Sequence, residues 1–542
     1  MTTGTMGNRE GLLGASHTRR GGSPHPPRRG TRLAVRAAGT ETHRASPSGF
    51  KERITCVGAL LLALVALPSC TPEAVRVQSP ARVPGAFSSS GTATLPAQWW
   101  TAMDDESLAR LVEEALRGNF SIRQAWDRLD QARALAEQAD APLLPAVDGT
   151  AGASRTGLRA EPAPRIYTTE YAFGLSASYE VDLWGRVRST SDAARLDAYA
   201  STQDLQAAAV TLTGSLADVW YQLIETQGQL RLLDEQIATN EKYLDLIATR
   251  FGQGLVEASD VLQQKELVEQ TRGQRVLVER AVAVLEHQLA VLLGRPPQAL
   301  ETDVPALLPT LPPLPDTGVP AALVQRRPDV VAAALRVQAA DRRVAAAVAD
   351  QFPRLSLTTS GEVSAAEMRD LFDNWLAVLA ANVVTPLFDA NRRGAEVERN
   401  RAVVSERLNA YGQTVLESLQ DVEDALVQEA KQARYVESLE TQLTLSREAT
   451  NRVRDIYSTT GREFLRYLTT LLGYQRLQRT HLSAKRDLVL FRIDLYRSLA
   501  GGWALPRPAR AETTGPRRPV AAPVVEADAS GRAPGDGGSD DD

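Results

Sequence analysis

The chain has 542 residues, with 61 Lys+Arg against 66 Asp+Glu, five His, two Cys, 43% hydrophobic and 23% charged residues. That length holds two to four ordinary domains, and that charge content excludes a polytopic helical membrane protein. Three histidines (His17, His25, His43) sit in an Arg-rich N-terminal stretch, His287 and His481 stand alone, and Cys56 and Cys70 have no partner at ligand spacing, which excludes a Cys/His zinc site and a disulfide scaffold. No dinucleotide glycine fingerprint, P-loop or GxSxG elbow occurs, so no catalytic residue, metal or cofactor is expected.

Residues 1–53 carry nine Arg and Lys51 against Glu10, Glu41 and Glu52. The apolar run Ile54–Leu67 that follows is 14 residues long, too short for a spanning helix of roughly 20. A basic region, a short apolar core and small residues read as a secretory signal over 1–69. Leu67-Pro68-Ser69-Cys70 resembles a bacterial lipobox, whose cysteine is acylated and becomes the new N-terminus; Cys70 is therefore the expected lipid attachment, followed by a linker over 70–96. Residues 70–542 hold 51 basic and 63 acidic side chains, a net of −12, which argues against a nucleic-acid partner.

Residues 119–153 are expected to open with a helix that stops at Pro145, followed by a weak β segment over 147–156. In the next segment Tyr171, Phe173, Leu175, Ala177, Tyr179 and Val181 alternate with small or polar residues, a strict period of two. A soluble half-buried sheet would give the same pattern. Leu183 to Phe251 contains no proline, and Leu212, Leu216, Val219 and Leu223, then Leu244, Ile247 and Phe251, recur at helical spacing. At 1.5 Å per residue such a helix is about 100 Å long, a coiled-coil length. Gly252-Gln253-Gly254 reverses it. A proline-rich linker over 311–320 leads into a second unit, because residues 119–153 lie over 327–361 without a gap at an offset of 208. Leu355 and Leu357, then Trp375 to Pro386, give two more β segments, and proline-free Asn391 to Tyr457 a second long helix with its turn at Ser458–Gly461. Gly501-Gly502-Trp503 ends the last helix, and the Pro-, Gly- and Asp-rich segment 505–542 is expected to be disordered.

Several ordered motifs resemble the TolC-like outer-membrane factor family, in its lipoprotein branch serving resistance-nodulation-division efflux systems, over roughly 97–503. They are Gln98-Trp99-Trp100 with Asp105, Leu108, Leu111, Val112, Ala115, Leu116 and Asn119; Leu175 through Trp184-Gly185-Arg186; Arg326-Arg327-Pro328-Asp329-Val330; and Pro386-Leu387-Phe388-Asp389. The resemblance implies a mainly α fold with a small β part and two repeats, 97–310 and 321–504. Long hairpins would form a periplasmic α-barrel, and four strands per chain would contribute to a twelve-stranded transmembrane β-barrel in a homotrimer. It implies an outer-membrane exit duct that is no enzyme, partnered by a periplasmic adaptor and an inner-membrane efflux transporter, anchored in outer-membrane lipid, and exporting small toxic compounds. Tyr171, Phe173, Tyr179, Trp184 and Trp375 become membrane-strand aromatics. Gly254, Asp260, Gly461, Arg466 and Thr469 become the periplasmic tip. Asp260 stands where the family carries an acid; Arg466 and Thr469 stand where acids are expected in the second hairpin. Tip charges that merely cap helix ends are the alternative. A duct of the same fold for type I protein secretion and a periplasmic coiled-coil scaffold are the competing functions.

Overall fold

The computed structural model describes residues 78–162, 164–299, 303–460 and 463–508. The expected signal region, Cys70, Gly461 and the tail beyond 508 lie outside the described residues. Helices α1 (Glu106–Gly118) and α2 (Phe120–Asp140) lead into strands β1 (Ala146–Leu158) and β2 (Ile166–Val181), then helices α3 (Arg186–Gly252) and α4 (Ala258–Leu292). After the linker come α5 (Pro320–Arg326), α6 (Pro328–Ala349), β3 (Arg354–Ala365), β4 (Trp375–Val384), α7 (Arg392–Thr460) and α8 (Phe464–Leu499). Two helices, two strands and two helices thus follow one another twice. Strand β3 begins 208 residues after β1, and α8 begins 206 after α4.

Local chemistry sets the ends of the short helices. Asp105 caps α1 by accepting from the Leu108 amide at 3.0 Å, and Asn119 caps α2 by accepting from Ser121 and Ile122. Pro320 and Pro328 open α5 and α6 at positions where a missing N–H costs nothing. The 67 residues of α3 and 69 of α7 run without a proline, so nothing interrupts their hydrogen-bond ladder. Each is flanked along its length by two shorter helices: α3 by α2 and α4, α7 by α6 and α8. The α3–α6 and α3–α8 contacts join the two halves.

The main core lies where the short helices cover α3. Trp99, Trp100, Met103, Leu108, Val112, Leu216, Trp220, Leu223 and Tyr496 are buried together there. Two of its indoles anchor elements to each other: Trp99 donates to Thr213 at 3.2 Å and Trp220 to Asp105 at 2.9 Å, so one carboxylate both caps α1 and anchors α3. The proline-rich linker is pinned rather than loose. Gly91 N–H donates to Pro315 O at 2.9 Å, Asp316 N–H to Ala93 O at 2.8 Å, and buried Arg492 to Pro313 O at 3.3 Å while pairing with Glu429 at 2.9 Å.

The four strands form one antiparallel sheet in the order β1-β2-β3-β4. Two boundaries differ from the sequence expectation. Helix α7 continues through Thr460 instead of turning at Ser458, because the hydroxyls of Ser458, Thr459 and Thr460 bond carbonyls three or four residues back and stay compatible with the helix. Strand β2 stops at Val181, so Trp184 lies outside it.

Candidate functional site

The register sorts the whole sheet into two unlike faces. Ala151 pairs with Phe173, Phe173 with Val363, and Val363 with Trp375, so residues of odd number share one face on all four strands. That face carries Val147, Ala151, Ala153, Tyr171, Phe173, Leu175, Tyr179, Leu355, Leu357, Val363, Trp375, Leu379 and Val383. The opposite face is largely polar on the first three strands, with Asp148, Thr150, Ser154, Thr168, Glu170, Ser176, Ser178, Ser356, Thr358, Ser360 and Glu362, whereas on β4 it carries Leu376, Val378 and Val384 beside Asn382. Most of the apolar face is uncovered: Leu379 is 83% and Trp375 76% exposed, and only the β3–β4 connection reaches over part of it. A bare apolar face of this extent on a water-exposed sheet would be an aggregation hazard. Against lipid it is the required face, with the polar one turned to water. Tyr167 and Tyr179 bracket the band. Their twelve steps along β2 make about 40 Å, or about 30 Å along the membrane normal at a ~40° tilt.

Of the expected aromatics, Tyr171, Phe173, Tyr179 and Trp375 share this face. Trp184 belongs to the junction between strand and helix. It stacks on Phe352 at 4.8 Å and donates to Pro353 O at 2.8 Å, tying the end of β2 to the start of β3. Asp182 accepts from the Val187 and Arg188 amides and so draws the chain from strand into α3. Leu387 and Phe388 lie almost fully exposed at the corresponding exit of β4.

At the far end of the helices Gly254 has φ +73, a left-handed turn conformation that glycine takes without strain. Asp260 completes a capping box with Glu257, its carboxylate accepting from the Glu257 amide at 3.4 Å. Arg466 pairs with Glu463 at 3.1 Å, and the Thr469 hydroxyl donates to Leu465 O. Within one chain, then, Asp260 caps its helix, Arg466 makes an ion pair and Thr469 bonds the backbone of its own helix. Two residues not singled out from the sequence bind the hairpins to each other. Arg250 donates to Tyr457 O at 3.1 Å and Ser458 O at 2.8 Å, and its guanidinium lies 4.9 Å over the Tyr457 ring. A cation thus caps the end of α7 from α3, where helix carbonyls lack partners. Tyr457 stacks in turn on Tyr467 at 5.9 Å, and Ile247, Leu267, Val453 and Phe464 close the cluster. Arg250 resembles any surface arginine in the sequence, and Tyr457 entered it only as the end of a proline-free stretch.

Buried polar side chains fix the register of the helices above the tip. Asn240 donates to Thr271 and accepts from Gln475, Gln264 donates to Asn240 O, and Gln236 donates to Gln475 O. Higher up, buried Glu225 accepts from Gln229 and Ser483 and pairs with Arg486 at 3.3 Å. Asp218 on α3 is pushed up to about 6 by burial, with Asp494 adding to the shift and Arg497, 3.7 Å away, opposing it. Among the described residues no group of His, Cys, Asp and Glu could hold a metal ion, and no helix is long and apolar enough to cross a membrane.

The family model for outer membrane efflux proteins matches residues 111–295 and 319–501. The chain belongs to that family. It is 31% identical over 466 residues to the pyoverdine export outer membrane protein OpmQ of Pseudomonas putida, covering 84% of this chain and 99% of that one. It is 30% identical to outer membrane protein OprJ of Pseudomonas aeruginosa, covering 82% and 96%. Among solved structures, the outer-membrane channel OprN matches with a TM-score of 0.74 at 26% identity, covering 79% of this chain and 98% of its own. A membrane protein of Pseudomonas aeruginosa matches with a TM-score of 0.73 at 28% identity, covering 79% and 99%. The protein is an outer-membrane efflux channel whose helices extend into the periplasm.

Proposed function

We propose that three copies of the chain complete one passive exit duct. The observation that carries this reading is the sheet itself: it has an apolar and a polar face, and strands β1 and β4 each have an unpaired edge. Lipid satisfies no backbone donor, so both edges must pair, and four strands cannot close around a channel. Edge-to-edge pairing of three copies gives twelve strands with the polar faces lining water. The helices beneath extend that lumen by about 100 Å. The chain forms and breaks no bond; transport energy comes from an inner-membrane efflux transporter reached through a periplasmic adaptor.

In this reading residues 97–310 and 321–504 are the two duplicated halves joined by the linker 311–320, and residues 1–69 are removed as a signal. Cys70 is acylated and holds the 70–96 segment at the membrane. The two hairpin turns, with Gly254 and Asp260 in one and Gly461, Arg466 and Thr469 in the other, form the periplasmic mouth. Its mixed charge distinguishes it from a purely acidic ring and sets its ion preference. Small toxic compounds are the cargo, as befits a conduit whose relatives are named for export and efflux of small molecules. Light scattering of the mature protein in mild detergent tests the stoichiometry. A mass of three chains is expected; a stable monomer overturns the reading.

A further inference from the structure

The lipid-facing side of the sheet is not uniform. The β3–β4 connection folds back over β1 and β2, and Met368 and Phe372 overhang Ala151, Ala153, Tyr171 and Phe173 to frame an open apolar groove of about 480 Å³. Small side chains on β1 make the floor, aromatic rings on β2 and the connection make the walls, and little in it can hold water. This groove lies toward the hairpin end of the sheet, opposite the end that joins the helices, and hence in the outer leaflet.

Arg155 stands on the same face of β1, two residues beyond Ala153 toward the hairpin. Its guanidinium lies 5.1 Å over the Tyr167 ring, and among the described residues no carboxylate binds it. Of the other arginines at this end, Arg159 pairs with Glu161 at 3.1 Å and Arg369 with Glu367 at 2.9 Å, while Arg165, in the hairpin turn itself and not on the strand face, has no ion pair among the described residues. A cation with no counter-ion, on an apolar face and directly above an apolar groove, matches a ligand with an anionic head and a hydrocarbon chain.

Resting on the duct reading for the orientation of this face, we propose that the groove and Arg155 form a site for a phosphorylated, acylated glycolipid of the outer leaflet, the lipid A portion of lipopolysaccharide. One acyl chain lies between Ala151, Ala153 and Phe372, and a phosphate meets Arg155. Such a lipid pins the β3–β4 connection against β1 and β2 of its own chain.

The test uses the full-length mature oligomer, delipidated and then titrated by native mass spectrometry with lipid A, with enzymatically dephosphorylated lipid A, and with phosphatidylglycerol. Lipid A is expected to bind at least tenfold more tightly than the other two. Arg155→Gln should remove that preference for the phosphorylated form, and Phe372→Ser should weaken both forms of lipid A. Equal binding of all three lipids by the wild type, or unchanged selectivity in Arg155→Gln, overturns the proposal. Oligomer mass and bilayer conductance of the same samples separate the two readings. An intact conducting trimer without selectivity sinks only the lipid site, whereas a wild type that neither trimerises nor conducts sinks the duct as well.

Discussion

Leu175 and Ser360 occupy nearly the same depth of the sheet but opposite faces. Leu175 pairs with Gly361, one residue from Ser360, and lies well inside the band bracketed by Tyr167 and Tyr179. Leu175→Arg would place a guanidinium among hydrocarbon, at a cost of about 2–4 kcal/mol per site near the bilayer centre. A trimer carries three such sites within one assembly, so the cost is about 6–12 kcal/mol per trimer, comparable to the whole stability of an ordinary domain. Ser360→Arg puts the same charge on the polar face, beside Ser176 and Glu362, where water solvates it. The assay is the fraction of each variant recovered as trimer from outer membranes, followed by thermal dissociation in detergent. Leu175→Arg should leave little trimer, and Ser360→Arg should assemble like the wild type while changing conductance or ion preference. Equal assembly of both, or failure of Ser360→Arg alone, would refute the assignment of faces.

Three further outcomes follow from individual contacts. Arg250→Gln removes two charge-assisted bonds to the end of α7 and a ring contact, about 2 kcal/mol at this half-exposed site, so hydrogen exchange of the last turn of α7 should quicken about 30-fold. Unchanged protection would show that the apolar cluster alone holds the tip. Asp218 titrates near 6 when folded against an ordinary 3.8, so the folded state binds the extra proton between those values. The contribution of Asp218 to stability should therefore fall as pH rises from about 4 to about 6, by up to ~3 kcal/mol, and stay level above. Asp218→Asn should lack that slope and melt higher than the wild type at pH 7.5; parallel melting curves would contradict it. Cys70→Ser should abolish incorporation of labelled palmitate, and undiminished labelling would end the lipobox assignment.

The long helices and the strands were legible because one constraint dominates each. Absence of proline together with Leu and Ala at helical spacing leaves α3 and α7 no reason to stop, and the period of two through Tyr171–Val181 leaves β2 one way to face lipid. Boundaries were less legible because they depend on contacts with distant residues. Trp184 follows the aromatic strand by only three residues, yet Asp182 turns the backbone into α3 just before it and Pro353 holds the indole. The turn residues Ser458, Thr459 and Thr460 read as a break, but their hydroxyls find carbonyls within the helix. Glutamine and asparagine on helices read as solvated, so the ladder through Gln236, Asn240, Gln264 and Gln475 gave no sign of burial; its partners lie on helices that only tertiary packing brings together. The tip charges were visible as charges, while their roles as caps and ion pairs required coordinates.

Single-channel recording of the purified oligomer in a planar bilayer bears most directly on whether neighbouring sheets enclose a water-filled path. Discrete, long-lived conductance steps, present at the mass of three chains and absent from dissociated protein, are the expected record. A silent membrane containing intact oligomer would contradict the account, because a closed and dry β structure would then occupy the place assigned to the duct.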